Sequence, residues 1–138
     1  METVRVLVVS SDGGWQATAR ELFTGAGFGV DVVDRGANAR VAIAREYPAV
    51  VLLDLELSDV EGYTVCADLR RAYGDVLPII VTTTDRVDAH DRIAGLLIGA
   101  DDYVVRPCDP AELLARVRRH LVRAAAYESQ APLPSSGS

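Results

Sequence analysis

Val50-Val51-Leu52-Leu53-Asp54 is an unbroken apolar run that closes on a carboxylate. A strand buried on both faces reads as a continuous hydrophobic run rather than as an alternation, and such strands belong to parallel sheets covered by helices. In an open α/β sheet the working groups stand at the carboxyl ends of the strands, so Asp54 is the first candidate for a functional side chain. Three further runs have the same shape. Arg5-Val6-Leu7-Val8-Val9-Ser10-Ser11 and Pro78-Ile79-Ile80-Val81-Thr82-Thr83 end in hydroxyls, and Asp102-Tyr103-Val104-Val105-Arg106-Pro107 ends in a cation. As parallel neighbours, these segments bring Asp54, Ser10, Ser11, Thr83 and Arg106 to one edge. The result is a phosphate-type pocket with one acid, one base and no metal cage.

Working outward, apolar runs alternate with amphipathic stretches. The pattern predicts strands at 4–9, 29–33, 50–54, 78–82 and 102–105, and helices at 15–26, 37–46, 61–72, 87–98 and 110–123. Asp12 and Asp109 stand where helix N-caps belong, Pro110 at a first helical position, and Gly27, Gly74 and Gly99 at helix ends. Val41, Ile43 and Ala44 are expected inward on the second helix, and Val65, Leu69 and Ala72 on the third. Strands alternating with helices imply a parallel sheet with helices on both faces. From about Ala126 the periodicity stops, and 126–138 reads as a flexible linker or tail. The folded domain is therefore expected over 1–125.

The chain has 138 residues, 49% of them apolar, which suits one domain with its own core. Its formal net charge of -6 argues against this segment gripping nucleic acid, because phosphate contacts need a basic face. Cys66 and Cys108 are far apart and lack metal-type spacing, which points to packing residues in a reduced, cytoplasmic setting. The chain enters a strand almost at once, without a charged-then-apolar leader. No apolar run approaches the roughly 20 residues that span a bilayer.

At this point the chain resembles the receiver domains of bacterial two-component response regulators, over about Val4 to Arg123. The resemblance rests on Val51-Leu52-Leu53-Asp54-Leu55 followed by Gly62, on Pro78-Ile79-Ile80-Val81-Thr82-Thr83, and on Gly99-Ala100-Asp101-Asp102-Tyr103-Val104 with Pro107 after it. It implies a flavodoxin-like, doubly wound sheet of five parallel strands in the order 2-1-3-4-5 with five helices. It also implies phosphotransfer from a histidine kinase to Asp54.

Two departures stand out. Receivers ordinarily follow the first strand with two acids that help the phospho-acceptor hold Mg²⁺; here Ser10 and Ser11 take those places. They also carry a lysine before the proline that follows the fifth strand; here it is Arg106. Mg²⁺ is a hard ion usually held by carboxylates, so its binding is expected to be weak or absent. Asp12 is the obvious substitute acid, but it aligns one position too far and suits a helix cap better. Asp54 and Arg106 are free to salt-bridge each other. Asp54 is then a relic that packs and pairs, a residual phosphate acceptor, or a ligand-responsive polar site.

Thr83 keeps the family's hydroxyl and Tyr103 its aromatic. Both are expected to relay the pocket's state, although Tyr103 also reads as a partly exposed aromatic. The Ser10 and Ser11 hydroxyls read equally as groups bonding nearby backbone. Trp15 is expected near the pocket mouth, and His90 and His120 on the surface. In the OmpR/PhoB-type subfamily the positions of Arg92, Asp101, Asp102, Glu112, Arg116, Arg118 and Arg123 form reciprocal ion pairs across a two-fold dimer. The bland alternative is a solvated face whose surface pairs are worth about 0–1 kcal/mol each. Leu97 and Ile98 add apolar area to that face if exposed.

The expected protein is thus an atypical receiver with no enzymatic activity, no resident cofactor and no membrane contact. It works through a homodimer on the fourth helix, fifth strand and fifth helix, or through a small-molecule ligand. DNA is reached only through a further C-terminal domain. The alternatives are a receiver weakly phosphorylated at Asp54 by a histidine kinase, and a stand-alone protein-docking module.

Overall fold

The computed structural model describes residues 3–130. Strands β1 (Arg5–Val9), β2 (Gly29–Val33), β3 (Val50–Asp54), β4 (Ile79–Thr83) and β5 (Asp102–Val105) form one parallel sheet in the order β2-β1-β3-β4-β5. β3 lies between β1 and β4, and every residue from Val50 to Asp54 is buried. That position explains its unbroken apolar sequence.

The pleat sorts alternate residues onto two cores. Val6, Val8, Leu52, Ile80 and Val104 pack with Trp15, Ala19 and Phe23 of α1 (Gly13–Gly25) and with Leu113 and Val117 of α5 (Pro110–Gln130). Leu7, Val9, Val51, Leu53, Ile79, Val81 and Tyr103 pack on the other face. Their partners there are Ala39 and Ile43 of α2 (Ala39–Arg45) and Val65, Cys66 and Leu69 of α3 (Gly62–Tyr73). α4 (Ala89–Ile98) lies on this second side, where Gly95 meets the Tyr103 ring. A Cβ at Gly95 would stand 2.9 Å from that ring, so the missing side chain is what lets Tyr103 sit beneath the helix.

Several boundaries differ from the sequence expectation. The segment expected as one helix over 37–46 opens with a 3₁₀ turn at Gly36–Asn38, and α2 begins at Ala39. The Asp59 carboxylate accepts from the amides of Gly36 and Ala37 at 2.9 and 3.1 Å, which holds the turn apart from the helix. With Ala39 and Ile43 facing the sheet, Val41 and Ala44 point outward, contrary to expectation. Ala72 is likewise exposed; Cys66 joins Val65 and Leu69 inside, and Tyr73 packs edge-on against Tyr47. Asp88 caps α4 through the Asp91 amide, which leaves Val87 outside the helix. α5 runs to Gln130, five residues into the stretch expected as linker. Ala124, Ala125 and Ala126 favour helix, and neither Gly nor Pro interrupts before Pro132. The remaining linker residues, 131–138, lie outside the described residues.

Candidate functional site

The carboxyl edge of the sheet collects Ser10, Asp54, Thr83 and Arg106, as the strand-end reading predicted, but the pleat divides them. Ser10, Asp54, Thr82 and Arg106 continue the α1/α5 face, whereas Thr83 continues the opposite face. Asp54, only 1% exposed, is bound by two side chains. Ser10 Oγ donates to Asp54 Oδ2 at 2.9 Å, and Arg106 Nη2 donates to the same oxygen at 2.8 Å. The guanidinium lies 4.6 Å from the centre of the Trp15 ring and reaches Asp12 Oδ2 at 3.5 Å. Burial pushes the Asp54 carboxyl above the usual carboxylate range, against the pull of Arg106 and of the Ser10 hydroxyl.

The remaining members of the expected pocket have other engagements. Ser11 Oγ donates to the Asp34 carbonyl and lies 3.1 Å from Ser58 Oγ, so it ties the loop after β3 to the loop after β2. Asp12 caps α1, accepting from Gly14 and Trp15 amides at 3.0 and 3.2 Å, and the Trp15 bond leads in lowering its carboxyl below the ordinary value. Thr83 Oγ1 donates to Glu56 Oε2 at 2.7 Å and makes no bond to Asp54. Both serines bond nearby backbone as the bland reading expected, Ser11 at the Asp34 carbonyl and Ser10 by accepting from the Asp12 amide at 3.1 Å, but Ser10 also donates to the acid itself. Tyr103 is 2% exposed, not a half-exposed aromatic, and its hydroxyl donates to the Arg86 carbonyl at 2.7 Å.

Four buried polar atoms have no partner among the described residues: Asp54 Oδ1, Arg106 Nε, Trp15 Nε1 and Thr82 Oγ1. The site is therefore a buried ion pair under an indole, not a cluster of carboxylates. Gly62 closes it from behind. A Cβ there would lie 2.5 Å from the Asp54 carbonyl oxygen, which accounts for a glycine at the start of α3.

A family model described as the response regulator receiver domain matches residues 6–118. The chain belongs to this family. The probable transcriptional regulator ycf27 of Porphyra purpurea is 38% identical over 133 residues, covering 96% of this chain and 54% of that protein. The DNA-binding response regulator MtrA of Mycolicibacterium smegmatis is 40% identical over 125 residues, covering 89% of this chain and 54% of its own. Among solved structures, the BeF3-activated N-terminal receiver domain of Klebsiella pneumoniae RstA superposes with a TM-score of 0.79 at 35% identity. That match covers 85% of this chain and 97% of the RstA domain. The receiver described here thus spans about half the length of the curated relatives it matches.

In this receiver the charges expected to face a second copy are largely paired within one chain. Asp101 Oδ2 is held by Arg70 Nη2 at 2.5 Å and by the Ile79 amide at 2.8 Å. Asp102 is buried and accepts from Arg116 at 2.6 Å, Arg119 at 3.3 Å and the Tyr103 amide at 2.9 Å. His120, expected on the surface, is 2% exposed, with Nε2 3.0 Å from Asp102 Oδ2. Burial alone would raise the Asp102 carboxyl; His120, the Tyr103 amide and Arg116 together hold it below the ordinary value. Arg116 also grips Glu112 at 2.9 Å. Arg92 and Arg123 make no ion pair among the described residues and are exposed. Leu97 and Ile98 are exposed, as are Ile93 and Leu96, so α4 presents an apolar face.

The strand-end pattern gave no hint of Glu56, Arg70, Arg86, Arg119 or the role of His120. Glu56 had one available signal, its place two residues beyond Asp54 on the same edge. The others act across contacts between elements distant in sequence, which local sequence does not specify. Burial pushes the Cys66 thiol up to about 11, in keeping with a packing residue. No helix among the described residues is long and apolar enough to cross a membrane.

Proposed function

We propose that this receiver is a non-enzymatic signalling module set without Mg²⁺-dependent phosphoryl transfer at Asp54. One observation carries the reading: Asp54 is buried and already neutralised by Arg106 and Ser10 on a single oxygen. The donors around it do not suit Mg²⁺, which asks for carboxylate and water oxygens in near-octahedral array. Ser10 spends its proton on Asp54, Ser11 faces Asp34 and Ser58, and Asp12 caps a helix beside a cation. A guanidinium is bulkier than an ammonium and forms directional carboxylate pairs, so Arg106 favours the standing ion pair over an open pocket.

The output in this reading is assembly: a second copy on α4, β5 and α5, or a response to a small-molecule ligand. The names of the relatives and the half-length coverage support a regulator of transcription in the cytoplasm, whose DNA contacts come from a further domain. The net charge of -6 is in keeping with that division of labour.

The rival is acceptance of phosphate at Asp54 from a histidine kinase. The free Oδ1 of Asp54 and the activated form of the RstA receiver favour it. Intact-mass measurement with acetyl phosphate and Mg²⁺ separates the two, with Asp54→Asn as control. The proposal expects no Asp54-dependent mass gain in the wild type. It also expects gain to appear when Ser10→Asp, Ser11→Asp and Arg106→Lys are combined. Stoichiometric modification of the wild type would establish the rival.

A further inference from the structure

β4 ends in two donors that converge on one anion. Thr83 Oγ1 donates to Glu56 Oε2 at 2.7 Å, and the Thr84 amide donates to Glu56 Oε1 at 2.8 Å. Thr84 Oγ1 adds a bond of 3.3 Å to Oε1. Each carboxylate oxygen thus has its own donor, and bonds to an ionised acceptor are roughly twice as strong as neutral ones. Glu56 has no ion pair among the described residues, so these donors are what balance its charge. Thr83 is fully buried, which leaves its hydroxyl no water to turn to.

The contact continues beyond the two threonines. Thr83 Oγ1 accepts from the amides of Asp85 and Arg86 at 3.2 and 3.0 Å. The Arg86 carbonyl receives the Tyr103 hydroxyl at 2.7 Å. The Arg86 guanidinium pairs with Glu61 at 2.6 Å and lies 5.0 Å from the centre of the Tyr63 ring. Tyr63 in turn donates to the Asp91 carbonyl of α4 at 2.9 Å. A continuous run of contacts therefore joins Glu56 to β5 and to α4, the elements beneath the exposed apolar face.

We propose that Glu56 is an internal anion latch. Its carboxylate fills the anion-binding end of β4 and holds the β4–α4 loop, Tyr103 and α4 in one arrangement with no phosphoryl group present. The proposal rests on the reading of a receiver set without phosphoryl transfer, and it names the group that does the setting. An oxyanion brought to Thr83 and Thr84 from outside would have to displace Glu56.

Amide hydrogen exchange and ring resonances of the whole chain test this in the wild type, Glu56→Ala, Thr83→Val and the double variant. Loss of a charged acceptor should lower protection at Thr84, Asp85 and Arg86 by about tenfold. The Tyr103 ring and the amides of Asp91 to Gly95 should shift with it. Thr83→Val should move the same set, and the double variant should go no further than the larger single change, because both remove one contact. An effect confined to Thr84, an unmoved Tyr103 and α4, or fully additive singles would overturn the latch. The same samples with acetyl phosphate keep the two proposals apart. Stoichiometric phosphorylation of the wild type overturns the phosphate-free reading, whereas an unchanged exchange pattern in Glu56→Ala overturns the latch whichever way the mass measurement falls.

Discussion

Arg116 reaches Asp102 at 2.6 Å inside one chain while its other nitrogen holds Glu112 at 2.9 Å. Both ends of the charge pattern that suggested a salt-dependent dimer are therefore satisfied before a second copy arrives. Exchanging such pairs across an interface returns little, because it replaces contacts that each chain already makes within itself. The apolar side chains of α4 have no such internal outlet, and Leu97 is 81% exposed.

Self-association on this face should accordingly be driven by apolar area. Sedimentation at high protein concentration should show Leu97→Glu far more dispersed than the wild type. Raising salt well beyond the level at which the Debye length is about 8 Å should change the wild type little. A wild-type dimer that salt dissolves and Leu97→Glu leaves intact would restore the charge-pair picture.

Asp102 supplies a pH-dependent share of stability. Its folded value lies below the ordinary one, so the folded state binds fewer protons than the unfolded chain in the window between the two values. The contribution is present above the unfolded value, roughly pH 4, and is lost as pH falls through the folded one. Asp102→Asn should cost about 1.5–3 kcal/mol at pH 7, since it removes the charged acceptor shared by His120 and Arg116, of which Arg116 keeps Glu112. Denaturant midpoints of the two proteins should converge as pH falls from about 4 through the lowered folded value. A constant difference across that range would mean the lost interaction is not ionic.

The sheet was legible because a five-residue apolar run such as Val50–Asp54 admits few settings other than a doubly covered strand. The Asp54–Arg106 contact was also within reach, since both residues end strands on one edge and no second acid competes at Ser10 or Ser11. What escaped was the sidedness of that edge. Thr82 and Thr83 are chemically equivalent in sequence, and only the register of β4 against β3 puts Thr82 beside Asp54 and sends Thr83 to Glu56. His120 escaped for a similar reason. A histidine in an Arg-rich helix reads as solvated until β5 places the Asp102 carboxylate 3.0 Å away.

Thr82 itself offers a direct measurement. Its hydroxyl is buried and unpartnered among the described residues, and a buried hydroxyl without a hydrogen bond costs about 1–3 kcal/mol by mutational data. Thr82→Val keeps the branched shape and removes the hydroxyl, so the variant should be more stable by roughly 1 kcal/mol. Chemical denaturation reads this directly; a less stable variant would show that the hydroxyl has a partner worth keeping.

The ion pair at the site predicts an asymmetry between its two halves. Among the described residues, Arg106→Met removes the one cation touching Asp54 and leaves a buried carboxylate with the Ser10 hydroxyl alone. Breaking a buried pair in this way costs about 3–5 kcal/mol. Asp54→Asn keeps an acceptor for Arg106, whose guanidinium still has Asp12 at 3.5 Å and the Trp15 ring at 4.6 Å, so the loss should be smaller. The double variant should lose well under the sum of the two single losses, because each change removes the other's reason for being costly. Acid should separate the singles further. Burial already raises the Asp54 carboxyl, and without Arg106 the opposing pull is gone, so its folded value climbs. A carboxyl whose folded value exceeds its unfolded one favours the folded state below that value and costs stability as pH rises through it. The deficit of Arg106→Met should therefore be larger at pH 7 and shrink on acidification toward about pH 4, where the unfolded carboxyl also protonates. Asp54→Asn, with no carboxyl at this position, should lack that recovery, and Trp15 fluorescence should report the loss of the stacked guanidinium only in Arg106→Met. Equal, pH-independent losses in the two singles would mean that Asp54 and Arg106 do not depend on each other.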